Sequence, residues 1–65
     1  MDVSVVFPAF NEEQALPGDL QQAVETLRST GWEWEIIVVD DGSTDRTAEI
    51  AESFPEVRLI RHPYN

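Results

Sequence analysis

Two groups of carboxylates stand where apolar runs end. Ile36-Ile37-Val38-Val39 breaks into Asp40-Asp41-Gly42-Ser43-Thr44-Asp45, and Val3 to Phe7 leads through Pro8-Ala9-Phe10 into Asn11-Glu12-Glu13. A carboxylate accepts strongly from the N–H groups of a base or from ribose hydroxyls. It can also meet a phosphorylated ligand through a bridging divalent cation. Gly42 lets a ligand or another backbone approach closely. A helix starting just after Gly42 would add spare N–H donors. These residues suit the grip of a small polar ligand, and none of them is placed to transfer a proton.

The elements that must carry these groups are legible. Val3 to Phe7 is mostly β-branched and apolar and stops at Pro8, a first strand. Leu16, Leu20, Ala23, Val24 and Leu27 form one helical stripe, with Pro17 tolerated in the first turn. Gly31 reads as its left-handed terminator. The second strand spans about Glu35 to Asp40. Its apolar residues fall on both faces, the habit of parallel strands covered on both sides. A second helix follows, with Ser43 or Thr44 as cap, Asp45 in its first turn, and the stripe Thr47, Ile50, Ala51, Phe54 up to Pro55. Val57 to Ile60 is a third short strand, and His62-Pro63-Tyr64-Asn65 a polar exit.

The order strand, helix, strand, helix, strand specifies an α/β fold, a three-stranded parallel βαβαβ unit with right-handed crossovers. Ligands of such sheets bind just outside the carboxyl ends of the strands, where both acidic groups lie. If the third strand lies beyond the second, both helices share one face. The other face is then bare, which implies that this is the opening unit of a longer protein or that something else covers that face.

Composition narrows the chemistry. Thirteen acids against four arginines give a net charge of −9, which argues against nucleic-acid binding through phosphates. Most of the other acids, Asp19, Glu25, Glu33, Glu49, Glu52 and Glu56, read as solvated helix and loop surface. With no cysteine there is neither a disulfide nor a thiolate metal site. No signal peptide and no apolar run near the roughly 20 residues of a bilayer span is visible, so a cytoplasmic setting is expected. A chain of 65 residues is one domain at most, and one this short buries only roughly 60% of its unfolded surface.

Familiar phosphate sites do not fit. The turn after the first strand, Pro8 to Glu13, has no glycine for a G-x-G-x-x-G fingerprint, and the chain has no lysine for a P-loop. Asp41, Ser43, Asp45, Glu49 and Glu52 match some positions of an EF-hand loop, but Arg46 stands where the turn needs glycine. Asp40 reads as a ligand contact, because Ser43 and Thr44 already offer caps. Asp41 reads equally as contact or structure, Asn11 equally as ligand contact or Asx-turn. Glu12 reads as contact, Glu13 as solvent-facing, Asp45 as a capping or dipole residue. His62 reads as a loop residue, Arg58 and Arg61 as solvated, and one of Trp32 and Trp34 as packed on the core edge.

At the level of motifs the chain resembles glycosyltransferase family 2. Val3 through Pro8-Ala9-Phe10-Asn11-Glu12-Glu13 is similar to that family's opening strand and P-x-Y-N-E-E. Val38-Val39-Asp40-Asp41-Gly42-Ser43-Thr44-Asp45-x-Thr47 is similar to its second motif, and Arg58 to Asn65 to its third strand and following asparagine. The nearest subgroup makes polyprenyl-phosphate sugars, as in dolichyl-phosphate mannose synthase. The resemblance implies a GT-A fold, of which residues 1–65 are the N-terminal, donor-binding part, a fragment expected to be inactive alone. It implies a nucleotide-diphosphate sugar, UDP- or GDP-linked, passed with inversion to an acceptor such as polyprenyl phosphate or a polysaccharide.

By position, Pro8, Ala9 and Phe10 would line the nucleotide pocket, with Phe10 where tyrosine is commoner. Glu12 and Asp40 would hold base or ribose. Asn11, Asp41, Gly42 and Ser43 would complete the loops around the donor. The D-x-D motif that holds Mg²⁺ or Mn²⁺, and the catalytic base, are expected beyond Asn65, so no catalytic or metal residue is assigned here. Membrane association, at the cytoplasmic face, would come through segments outside this stretch. The competing reading is a Mg²⁺-dependent phosphoacceptor domain, receiver-like or phosphatase-like. It lacks a phosphorylatable aspartate after the third strand, which ends in Arg61-His62, and a D-x-D after the first.

Overall fold

The computed structural model describes residues 2–62. Pro63, Tyr64 and Asn65, read above as a polar exit and the asparagine of the third motif, lie outside the described residues. The elements follow in the expected order: β1 (Val3–Ala9), α1 (Leu16–Arg28), β2 (Trp34–Asp41), α2 (Thr47–Glu52) and β3 (Val57–His62). The strands form one parallel sheet ordered β1-β2-β3, so β1 and β3 are both edges.

One face carries the core. Leu16, Leu20, Val24 and Leu27 of α1 meet Ala9, Ile36 and Val38 of the sheet and Ala51 of α2 in a single buried cluster, with Val5, Phe7, Ile50, Phe54, Val57 and Leu59 packed on it. Burying a leucine or isoleucine completely, as Leu20 and Ile36 are, stabilises the fold by about 1.5–3 kcal/mol each. Because α1 and α2 share this face, the other face of the sheet is open. Val6 and Ile60 are exposed on it, while Ile37 and Val39 are half-buried between the two edge strands. The expectation of a bare face holds.

Several boundaries differ from expectation. The strand β2 runs one residue further, through Asp41, and β3 reaches His62. The helix α2 ends at Glu52 with Ser53 as its C-cap, before Pro55 is reached. The helix α1 is closed by Ser29. Gly31, with φ 76°, turns the chain two residues later, and is not itself the terminator. Trp34 packs against the core edge, and Trp32 is exposed.

A groove of about 400 Å³ runs along the free edge of β1 under α1, lined by Val5, Phe7, Ala23 and Leu27 among others. It lies away from the acidic strand ends.

Candidate functional site

The parallel register brings the two acidic loops together. Ala9 of β1 is level with Asp40 of β2, and Asp40 with Arg61 of β3. Both loops therefore leave the same rim of the sheet, as expected.

Side chains alternate between the faces of a strand, and this alternation separates the two aspartates. Ile36, Val38 and Asp40 point toward the helices, and Asp40 is fully buried. Its Oδ1 accepts from Ser43 N at 3.3 Å. Its Oδ2 is the one buried side-chain polar atom among the described residues without a hydrogen bond. Arg61 Nε stands 3.3 Å from that oxygen as an ion-pair partner. Asp41 points to the open side and keeps 48% of its side chain exposed, with His62 Nδ1 at 3.6 Å. This corrects the sequence reading in two places. Asp40 is enclosed and paired within the sheet, whereas Asp41 is half-exposed on the other side. Arg61, expected to be solvated, is the counter-ion of a buried acid.

An open cleft of about 320 Å³ lies at the rim, lined by Pro8, Ala9, Phe10, Glu12 and Asp41. Five of the nine expected site residues thus surround one space, with an exposed aromatic ring beside two carboxylates. Asp40, Asn11, Gly42 and Ser43 are not among its lining residues. The last three form the frame beside it.

That frame is a cross-loop lattice. Asn11 sits in the left-handed region, φ 50°, a conformation asparagine tolerates better than most residues. Its N–H donates to Ser43 Oγ at 2.9 Å, and its Oδ1 accepts from Thr44 N at 2.9 Å. Glu12 N donates to Thr47 Oγ1 at 2.8 Å, and Glu13 N to Asp45 Oδ2 at 3.2 Å. Thr47, fully buried, donates a hydrogen bond from its own hydroxyl to Asp45 Oδ1, which also accepts from Thr47 N at 2.9 Å. Neither Ser43 nor Thr44 caps α2, contrary to expectation, because both are engaged with Asn11. The first helical N–H is taken by Asp45 instead. Gly42, φ 83°, provides the turn between Asp41 and this lattice. A second open hollow, of about 360 Å³, lies over Asn11 to Ala15 and Asp45.

Burial acts to raise the Asp45 carboxyl. The bonds from the Thr47 hydroxyl, Thr47 N, Glu13 N and its own N–H outweigh this and hold it below the ordinary aspartate value. A depressed folded value contributes stability above the unfolded value, about 3.9 for aspartate, and the contribution is lost as pH falls through the folded one. Chemical denaturation at pH 7 and pH 3 should therefore show the wild type losing more stability on acidification than Asp45→Asn does. Equal losses would mean that the lattice does not depend on the ionised form.

The signal for Arg61 was present in the sequence only as a residue four past the start of a short strand. Its importance comes from register. Among the described residues, no group of three or more His, Asp or Glu is gathered as a metal site would require, and no helix is long and apolar enough to cross a membrane.

Residues 4–65 match the model of the family described as glycosyl transferase family 2. An undecaprenyl-phosphate 4-deoxy-4-formamido-L-arabinose transferase of Pectobacterium carotovorum subsp. carotovorum (strain PC1) is 48% identical over 62 residues, covering 91% of this chain and 19% of that protein. A dolichyl-phosphate beta-glucosyltransferase of Trichomonas vaginalis is 42% identical over 72 residues, covering 97% of this chain and 22% of that protein. The transferase of the first kind from Pseudomonas paraeruginosa is 48% identical over 54 residues, covering 83% and 16%. The chain spans about a fifth of the length of these curated relatives. With the parallel βαβαβ unit, the paired acidic loops at its rim and a family match over nearly every residue, the chain belongs to glycosyl transferase family 2.

Proposed function

We propose that this chain is the donor-binding part of an inverting glycosyltransferase, and that the nucleoside of an NDP-sugar sits in the cleft between Phe10, Glu12 and Asp41. The observation that carries this reading is the convergence of those three side chains, with Pro8 and Ala9, on one opening at the strand ends. Phe10 offers a ring face for a base. Glu12 and Asp41 accept from base N–H groups or ribose hydroxyls. Asn11, Gly42 and Ser43 hold the two loops in register, so the donor meets a preformed pocket. Fixing the donor contributes to catalysis by orienting its anomeric carbon.

In the complete reaction the acceptor oxygen forms a bond to that carbon as the bond to the nucleoside diphosphate breaks, and the diphosphate leaves with the electron pair. The names of the relatives, which carry undecaprenyl phosphate and dolichyl phosphate, support a polyprenyl phosphate as the acceptor, and hence work at a membrane surface. The family's divalent cation, Mg²⁺ or Mn²⁺, has no ligand cluster among the described residues. Its ligands would come from another part of the protein. The phosphoacceptor reading gains nothing from the structure, since Asp40, one of the two adjacent acids it would use, is buried against Arg61.

Calorimetric titration of the full-length protein with UDP-glucose and GDP-mannose, each with Mn²⁺, tests the reading. One of the two should bind with a micromolar to millimolar constant, and the matching free nucleotide should compete. Failure of both to bind would remove the donor site.

A further inference from the structure

The proposed site leaves one buried charge unexplained. Asp40 does not line the cleft, yet it is fully buried and has one oxygen without a hydrogen bond. A buried carboxylate left without a counter-charge is costly. Arg61, from the neighbouring strand, brings Nε to 3.3 Å of that oxygen while its side chain as a whole is 55% exposed. The other Asp40 oxygen holds Ser43 N, and Ser43 Oγ holds Asn11 N. A line of contacts thus joins the ends of all three strands: Arg61 on β3, Asp40 on β2, Ser43 in the second loop, Asn11 in the first. Between Asp40 and Ser43 lie Asp41 and Gly42, so the bond from Ser43 N to Asp40 closes the turn from which Asp41 projects.

We infer that Arg61 is a positioning residue for donor binding: by fixing the Asp40 carboxylate it fixes the Asp41-Gly42-Ser43 turn and so aims Asp41 into the cleft. This rests on the donor-site reading. Arg61 does so on the helix-facing side of the sheet, whereas Asp41 and His62 occupy the other side. The guanidinium acts through Asp40 and not through the ligand's phosphates.

The test is a double-mutant cycle in the full-length protein, using UDP and GDP with Mn²⁺ as probes and circular dichroism to check folding. Asp41→Asn and Arg61→Met should each raise the dissociation constant of the bound nucleotide at least tenfold, as expected for loss of a hydrogen bond to a charged group. The double variant should be no weaker than Asp41→Asn alone, because the second change removes the aim of a contact already lost. Arg61→Lys should stay within about threefold of wild type, since it keeps the positive charge beside Asp40. Arg61→Gln, a milder change, is read in the same way should Arg61→Met fail to fold.

A residue that only stabilised the fold would lower the melting temperature and leave the constant of the folded protein unchanged, which would overturn the proposal. So would additive effects in the cycle, the mark of a direct phosphate contact. Both results would leave the donor site standing if Asp41→Asn still weakens binding. If Asp41→Asn binds nucleotide like wild type, or wild type binds neither probe, the donor-site reading itself falls and Arg61 loses its role with it.

Discussion

Asp41→Asn should weaken nucleotide binding by the full-length protein about 10- to 100-fold, the equivalent of roughly 1.5–3 kcal/mol for a hydrogen bond made by a charged group. Asparagine keeps the shape of the side chain, removes the charge, and turns one of two acceptors into a donor. Asp41 is half-exposed at the cleft, so the change acts on the ligand and leaves the core intact. Asp40→Asn gives the contrasting profile. Its side chain touches the Ser43 amide and Arg61, so melting temperature falls along with affinity. Calorimetry with UDP and GDP, alongside thermal melts of both variants, separates the two aspartates. An Asp41→Asn protein of undiminished affinity would take that residue out of the site.

Thr47→Val should destabilise the fold by about 2–3 kcal/mol, although valine has nearly the same volume. The hydroxyl of Thr47 serves two partners at once: it accepts the Glu12 amide at 2.8 Å and donates to Asp45. Valine fills the space and leaves a partly buried N–H unpaired, and that penalty alone is about 1–3 kcal/mol. Loss of the bond to a carboxylate adds to it. Urea denaturation of wild type, Thr47→Val and Thr47→Ser gives the answer. Serine should recover most of the loss, because it restores the hydroxyl and deletes only a methyl group. A valine variant within about 0.5 kcal/mol of wild type, the range of ordinary surface changes, would show that the cross-loop bonds do not hold the loops.

The same hydroxyl links stability to function. Glu12 is the residue whose backbone Thr47 holds and whose side chain lines the cleft. Thr47 reads in sequence as one member of a helical stripe, and it is indeed buried at the start of α2. Its second role, reaching across to β1's loop, has no mark in a stripe, because the partner is a main-chain amide and any residue type could supply it. Asn11 illustrates the same limit. In sequence it reads equally as a ligand contact or an Asx-turn, and in the structure it takes a left-handed backbone. That its side chain answers Thr44 across the rim depends on how closely two loops approach.

Element order, the parallel sheet, the shared rim and the open face were legible in the pattern of residues, since each follows from local periodicity and from the handedness of crossovers. The division of labour between Asp40 and Asp41 was not. Ile36 to Val39 is apolar at every position, so the alternation that normally marks inside and outside carries no information there. Which of two adjacent acids faces the helices was settled when α1 and α2 packed on Ile36 and Val38. A strand shifted by one residue would exchange the two roles. Arg61 belongs with this second group. Its charge is evident in the chain, but its place beside a buried carboxylate exists because β3 pairs with β2 in one register.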